Sequence, residues 1–402
     1  MNSLHFGRQD FPALGDSRVV YLDSAATTQL PTQVIEAMLA YDTQGRGNPW
    51  RGIHGFAERA DKTYAEARSA VAQFVGAPSE HLIFTKSTTE GLNLVARSVA
   101  SKLGSGDEVL LTIFEHHANL LPWRELAAER GFVLRYLPMS SRNTLDVAKL
   151  DTFFTPAVKV VVLPHVSNVT GAILPVADVV RAAQKVQALV IVDGAQAVAH
   201  LPVDVTALGV DAYAFGAHKM YGPSGIGALA VSSRLFGRLD PLLYGGGMVE
   251  EVNEMGTTYL KDVRLFEAGS PNVSGAVGFA AAAKLLSDLG PSEVRRHELE
   301  LVRTLVERLS SMPDATIHGL STEEARSGIV SFSLKGAHPH DVADILGQEG
   351  IAVRAGYHCA APFTRCLAPE GTVRVSLGVY SEVSDVEKLV TALDVVRTRL
   401  SL

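Results

Sequence analysis

Sulfur is scarce in this chain of 402 residues: it has two cysteines, and both fall in one stretch, RAGYHCAAPFTRC, from Arg354 to Cys366. So few cysteines exclude a disulfide-stapled scaffold, and the expected setting is the reducing cytoplasm. Clusters of positive charge are also missing. With a formal net charge of -7 and no dense Lys/Arg run, nothing offers an electrostatic footprint for nucleic acid. No stretch approaches the ~20 consecutive apolar residues of a membrane span. The opening MNSLHFGRQDFPALGDSR has no basic segment followed by an apolar one, so no export signal and no membrane partner are expected. Internal repeats, low-complexity tracts and Pro/Gly/Ser-rich linkers are absent too. What remains is an ordinary globular composition, 47% hydrophobic and 20% charged, long enough for one large core and a second, smaller domain.

From about Tyr21 to Val231 the chain alternates helical patterns with short apolar runs. Phe56, Ala60, Tyr64, Ala67, Val71 and Phe74 recur three or four apart, which predicts one face of a helix. The runs at Val109 to Ile113, Val133 to Leu137, Val158 to Leu163, Ala188 to Val192, Ala212 to Phe215 and Ile226 to Val231 mostly do not alternate with polar residues. Strands covered by helices on both faces read this way. The order predicts an α/β fold with a mostly parallel central sheet, and ligands at the carboxyl ends of its strands. Beyond Ser270-Pro271-Asn272 the pattern changes to a long helical region (Gly275 to about Ser311), strand Ile329 to Leu334, a helix from about His340, strands Ile351 to Arg354 and Thr372 to Leu377, and a last helix from about Val383. This predicts a smaller α+β C-terminal unit. The expected division is a large domain over 20–280 and a small one over 281–402, with residues 1–19 packing on the latter.

Polar clusters follow the predicted strands directly: KSTTEGLN after LIFT, FEHHAN after Ile113, DGAQ after Val192 and GAHK after Phe215. Lys219 alone would be read as a surface lysine. Its neighbours change that, because a Schiff-base lysine needs a phosphate anchor, an acid for a pyridinium proton and a group to stack on the ring. Ser87, Thr88 and Thr89 at a helix start offer an anion site; Asp193 suits the ring nitrogen, Gln196 the ring hydroxyl, and His116 the stack and a proton. Each has a plainer alternative: Asp193 as a helix cap, the threonines as an ordinary capped start, His116 and His117 as a satisfied loop pair or half of a metal site. Cys/His partners at metal-binding spacings are lacking, so no metal is expected. GPSGIG (Gly222 to Gly227) precedes a strand with the wrong glycine spacing for a dinucleotide site. Cys359 itself is open to four readings: buried small hydrophobe, disulfide partner of Cys366, metal ligand or nucleophile.

The set YLDSAATT, RGIH, STTEGLN, EHHANLLPW, SNVTG, VDGAQ, AHKMYGPSGIG, FEAGSPN and RAGYHCAAP, in this order from about residue 20 to the C-terminus, resembles the group II (SufS/Csd-type) cysteine desulfurases. Those are fold-type I, pyridoxal 5'-phosphate enzymes of the class V aminotransferase family. The resemblance implies that Lys219 carries the cofactor, Asp193 pairs with its ring nitrogen, Gln196 with the ring oxygen, and His116 stacks on the ring. It implies that Thr88, Thr89 and His218 hold the phosphate, with Ser270 adding a hydroxyl from the second subunit of a homodimer. Asn168 and Arg374 would grip the substrate carboxylate, an ion that suits the planar fork of arginine, with Arg354 and Arg51 as weaker candidates. Three departures stand out: Gly216 replaces the usual phosphate-binding serine, Ser270 the usual threonine, and Trp50 the usual histidine before RGIH. The lost serine hydroxyl removes one charge-assisted hydrogen bond, which predicts weaker cofactor binding by roughly 1.5–3 kcal/mol if nothing replaces it.

For Cys359 the resemblance implies the nucleophile. L-cysteine would be converted to L-alanine while its sulfur passes to Cys359 as a persulfide, for a SufE-type sulfur-acceptor protein. His358 or bound substrate is expected to raise the thiolate fraction. Cys366 has no matching role. The rival readings are a selenocysteine lyase or C–S lyase without an obligatory persulfide relay, L-selenocysteine being a possible second substrate of either enzyme, and a catalytically silent partner that only binds an acceptor protein.

Overall fold

Seven strands form the central sheet, in the spatial order Leu82–Thr85, Gly227–Val231, Ala212–Gly216, Leu189–Asp193, Val158–Pro164, Glu108–Leu111 and Val133–Tyr136. A computed structural model of the chain describes residues 6–15, 18–50, 52–320 and 325–402. Gly227–Val231 runs antiparallel to both its neighbours, and the other strands share one direction. Alternate residues of each inner strand enter different cores. Val161, Leu163, Val190, Val192, Tyr213 and Phe215 pack into one cluster, and Val160, Val162, Ile191, Ala212 and Ala214 into another on the opposite face. Both faces are covered, which is why the sequence shows continuous apolar runs where a half-exposed strand would alternate.

The helix Gly55–Phe74 buries Ala57, Ala60, Tyr64, Ala67, Arg68, Val71 and Ala72. The expected Phe56 is 54% exposed. Successive steps of four residues drift by roughly 40° each around a helix, so a stripe starting at Phe56 leaves the face that Ala57 holds. Arg68 was not expected inside. It is buried with Glu267, whose carboxylate accepts from Arg68 Nη1 (2.6 Å) and Nη2 (2.8 Å), Tyr64 Oη (3.0 Å) and the Phe84 amide (2.7 Å). The guanidinium lies over the Tyr64 and Phe84 rings. This network fixes FEAGSPN against the strand Leu82–Thr85 that leads to the Thr88 helix.

The long C-terminal helical region is two helices, Val273–Leu289 and Pro291–Ser310, divided where Gly290 takes a left-handed φ of 78° and Pro291 starts the next helix. Residue 280 therefore falls inside a helix whose Leu285 and Leu286 still belong to the large core. A second, antiparallel sheet follows in the order Ala315–His318, Ile329–Leu334, Thr372–Ser376, Arg354–Gly356. The expected strand Ile351 to Arg354 is split. Ile351–Ala352 pairs in parallel with Val20–Tyr21, and Arg354–Gly356 joins the four-stranded sheet. Near the N-terminus, Phe11 packs edge-on against Tyr380 and lies beside Tyr221, while Arg8 reaches Asp385 of the last helix. Three elements had no strong sequence signal: the strand Ala315–His318, the exposed hairpin Val249–Asn253/Gly256–Tyr259 and the short helix Ala361–Leu367.

Removing the Glu267 carboxylate leaves Arg68 buried and unpaired, so Glu267→Ala should lose about 3–5 kcal/mol of stability. Urea unfolding measures this, and a loss under about 1 kcal/mol would show that the pair is not the anchor described.

Candidate active site

The carboxyl ends of the parallel strands converge on a cavity of about 210 Å³. Beyond Thr85 the chain turns into the helix Thr88–Ala100, where Ser87 Oγ caps the Glu90 amide (3.3 Å) and Thr88 and Thr89 face the cavity from the first turn. Thr88 Oγ1 is buried and has no hydrogen-bond partner among the described residues. Gly216 ends its strand directly opposite. A Cβ there would stand 3.0 Å from Thr88 Oγ1 and 3.2 Å from the His218 ring, so glycine leaves both groups room to converge. Lys219 closes the turn Ala217–Lys219 and also lines the cavity.

Asp193 is the last residue of its strand, and its Oδ1 accepts from the Ala195 amide (2.9 Å). Between them Gly194 passes so close to Tyr213 that a Cβ would lie 2.0 Å from the ring, which makes glycine a steric requirement here. Gln196 donates through Nε2 to the Ala25 carbonyl (2.7 Å) and leaves Oε1 buried without a partner. His116 caps the helix His117–Arg130: its Nδ1 accepts from the Ala118 amide (3.0 Å), so the ring proton sits on Nε2.

Burial sets the charge states. Desolvation lowers the Lys219 ammonium below its ordinary range despite the attraction of Asp193, with Arg374 and Arg354 pushing the same way. An amine so placed is closer to the free base that a nucleophilic lysine needs. Desolvation raises Asp193, against the pull of Lys219. His116 is pushed down to about 3, mainly by desolvation and then by Lys219, so it is a neutral ring at ordinary pH.

The far wall comes from the small sheet. Arg354 and Arg374 are directly paired across adjacent antiparallel strands, and both line the cavity. Like charges in that register repel. Arg374, 1% exposed, is held by Asp23 Oδ1 (3.0 Å from Nη2) and the Asn168 carbonyl (2.9 Å from Nη1), with Nε left buried and unpaired. Two facing guanidiniums and an unpaired donor describe a site built for an anion. Arg354 Nη2 lies 3.3 Å from Cys359 Sγ.

Cys359 follows His358, and both have left-handed φ values, 56° and 52°. For side chains other than glycine this costs on the order of 1–3 kcal/mol each, and it persists only where the surroundings hold it. His358 Nε2 meets Thr372 Oγ1 (2.8 Å), and the His358 carbonyl accepts from Asn168 Nδ2 (2.6 Å). Desolvation pushes His358 down to about 3. It is neutral and bonded to Thr372, so the positive group at the sulfur is Arg354, where the sequence pointed to His358 or to bound substrate. Cys359 and Cys366 are both free thiols, the latter exposed on the helix Ala361–Leu367 with Sγ 3.3 Å from the Pro362 carbonyl.

A family model described as Aminotransferase class-V matches residues 20–389. The chain belongs to this family. A "Probable cysteine desulfurase 2" of Mycobacterium leprae is 42% identical to this chain, over 96% of this chain and 94% of that protein. A "Cysteine desulfurase" of Shigella flexneri is 40% identical over 96% of each. Among solved structures, the apo cysteine desulfurase of Thermococcus onnurineus superposes with a TM-score of 0.95 at 36% identity, covering 99% of this chain and 100% of that one. The Escherichia coli cysteine desulfurase CsdA, in its S-sulfonic acid form, gives 0.91 at 37%, covering 98% of each.

The family implies pyridoxal 5'-phosphate, and the cavity fits it. Hydroxyls and helix-start amides gather at Thr88 and Thr89, a carboxylate stands at Asp193, and the buried Thr88 hydroxyl and the Gln196 Oε1 acceptor have no partner among the described residues. Lys219, Thr88, Thr89, His116, Asp193, Gln196, His218, Asn168, Arg354 and Arg374 all line this one cavity. Cys359 is not among the lining residues; its sulfur touches Arg354 of the wall. Ser270 does not line it; this residue is exposed in a separate surface groove with Arg46, Asn48 and Asn272. Arg51 lies outside the described residues. Trp50, which carries a φ of 68°, donates its amide to Asp61 Oδ1 (2.6 Å) and packs edge-on against Tyr64. Sequence reasoning missed Asp23 and Glu267, although both sit in quoted motifs, because nothing local marks a carboxylate as the partner of a distant arginine.

Four imidazoles are held neutral mainly by desolvation: His116 and His358 at about 3, His165 and His218 at about 4. Once unfolded they return to about 6.5. Below that pH the unfolded chain binds protons that the native state refuses. Glu115, raised by burial to about 8, works the other way, since the native state keeps its proton down to the ordinary carboxylate range. For these five groups the balance favours the histidines, so the cofactor-free protein should lose stability as pH falls from about 6.5 to 4.5, by roughly 4 kcal/mol per pH unit at the steepest. Urea titrations at several pH values test this, and a flat profile would mean that the native imidazoles are protonated.

Proposed function

We propose that this chain is a pyridoxal-phosphate-dependent cysteine desulfurase, which converts L-cysteine to L-alanine and leaves the sulfur on Cys359 as a persulfide. The observation that carries the reading is the arrangement of Lys219 and the facing Arg354–Arg374 pair around one cavity, with the Cys359 thiol in contact with Arg354. The relatives' names agree in activity across nearly the whole chain.

Lys219 would hold the cofactor covalently. Thr88, Thr89 and His218 would bind its phosphate, Asp193 would pair with its ring nitrogen, Gln196 with its ring oxygen, and the neutral His116 ring would stack on it. Ser270, exposed on the surface, would contribute its hydroxyl to the second subunit of a homodimer. When bound, the cofactor supplies an electron sink conjugated to the substrate Cα. Arg374, with Asn168 and Arg354 beside it, orients the substrate carboxylate. The Lys219 amine, when free, would take the Cα proton, a role that suits its lowered basicity. Cys359 as thiolate attacks the substrate sulfur: an S–S bond forms, the Cβ–S bond breaks, and the electron pair passes to the carbon skeleton. Protonation at Cβ and return of a proton to Cα from Lys219 complete alanine, and the persulfide remains for transfer to a SufE-type acceptor. The division of the chain accompanying this reading is a cofactor domain up to Gly290 and a small domain from Pro291, joined by Val20 and Leu22, which sit in the C-terminal core.

In a single turnover with L-cysteine, the purified holoenzyme should form alanine and gain one sulfur on the Cys359 peptide, with Cys359→Ala silent. Alanine without added sulfur, or a mutant that still turns over, would transfer the assignment to a lyase. Running L-selenocysteine beside L-cysteine separates the two substrates. Arg374→Ala should raise the KM for L-cysteine by at least tenfold, because one partner of a charge-assisted pair is worth roughly 1.5–3 kcal/mol.

A further inference from the structure

The left-handed pair His358–Cys359 is bounded by two hydrogen bonds from a single residue that the activity does not otherwise use. His117 is the first residue of the helix His117–Arg130, so its amide has no partner within that helix. It donates instead to the carbonyl of Cys359 at 2.7 Å. The His117 ring then reaches past Cys359, and its Nε2 accepts from the amide of Ala361 at 3.2 Å. Ala361 opens the helix Ala361–Leu367 and faces the same shortage of partners. Two helix starts, one in each part of the molecule, are thus joined across the thiol. The bond to Ala361 requires a neutral imidazole with its proton on Nδ1, and desolvation together with Arg124 lowers the basicity of His117 accordingly.

We propose that His117 is a positioning residue for sulfur transfer, clamping the Cys359 loop at two points directly after the thiol so that Sγ stays at Arg354 and in line with the substrate sulfur. The proposal rests on the desulfurase reading and deepens it. His116 and His117 then divide the work of one turn: the first faces the cofactor cavity, and the second holds the sulfur carrier. The ring bond is the part that mutation can remove, since the amide bond survives any substitution other than proline.

The test compares His117→Ala and His117→Gln with the wild-type holoenzyme. Glutamine can place Oε1 near the position of Nε2 and accept from Ala361, so it should restore what alanine removes. Hydrogen exchange reads the clamp directly: the peptide covering 357–367 should exchange several-fold faster in the alanine variant and near the wild-type rate in the glutamine variant. Single-turnover persulfide formation reads its purpose. It should slow by roughly tenfold in His117→Ala, about one hydrogen bond's worth, with KM and the visible absorbance of the bound cofactor unchanged, and recover in His117→Gln. Unchanged exchange, an unchanged persulfide rate, equal losses in both variants, or loss of the cofactor absorbance would each overturn the proposal. If the wild-type protein itself places no sulfur on Cys359, the desulfurase reading falls, while the exchange comparison still decides whether the clamp exists.

Discussion

The buried guanidinium of Arg374 is the constraint around which the site is organised. A cation that is 1% exposed carries a large desolvation cost, and removing its partners would leave an uncompensated charge. The partners come from separate parts of the chain: Asp23 from the segment after the first strand, and the Asn168 carbonyl from the loop after Val158–Pro164. The small sheet is therefore fastened to the large domain through a residue that lines the cavity. Arg354, its cross-strand neighbour, adds a second positive charge that one carboxylate of Asp23 does not neutralise. An anionic ligand between them relieves both the repulsion and the unpaired Nε, so binding energy for the substrate is built into the resting fold.

Two kinds of backbone share the chemistry. Asp193, Gly216 and Lys219 sit at or just beyond strand ends, where sheet hydrogen bonds on both sides limit their movement. Cys359 sits on a strained turn whose conformation depends on bonds from outside it. The division matches the tasks, since proton transfer at Cα needs fixed geometry, whereas a sulfur carrier must meet the substrate and then present the persulfide elsewhere. A strained loop held by a few hydrogen bonds has a conformation available to it that a strand end does not.

Much of this was legible in the sequence. The apolar runs marked the central strands because both faces of the sheet are covered, and the polar clusters directly after them marked the cavity, since strand ends in such a sheet converge. The chemistry that a Schiff-base lysine demands then singled out Thr88, Asp193, Gln196 and His116 among many polar residues. What sequence did not show were pairings across long separations. Arg68 lies on a helical face that reads as apolar and finds Glu267 far along the chain. Asp23 meets Arg374 in the same way. The phase of the Gly55–Phe74 helix was off by one position at its start, because spacing alone does not say which of Phe56 and Ala57 faces inward when both continue the pattern.

The expectation for His358 failed for a reason with wider reach. A histidine adjacent to a cysteine in sequence suggests thiolate stabilisation, but consecutive left-handed residues turn the two side chains apart. The imidazole goes to Thr372 and the sulfur to Arg354. A permanent charge thus stands beside the sulfur where its sequence neighbour would have offered a titratable one. The same arginine lines the cavity opposite Arg374, so an anion bound between the two would share one guanidinium with the Cys359 sulfur.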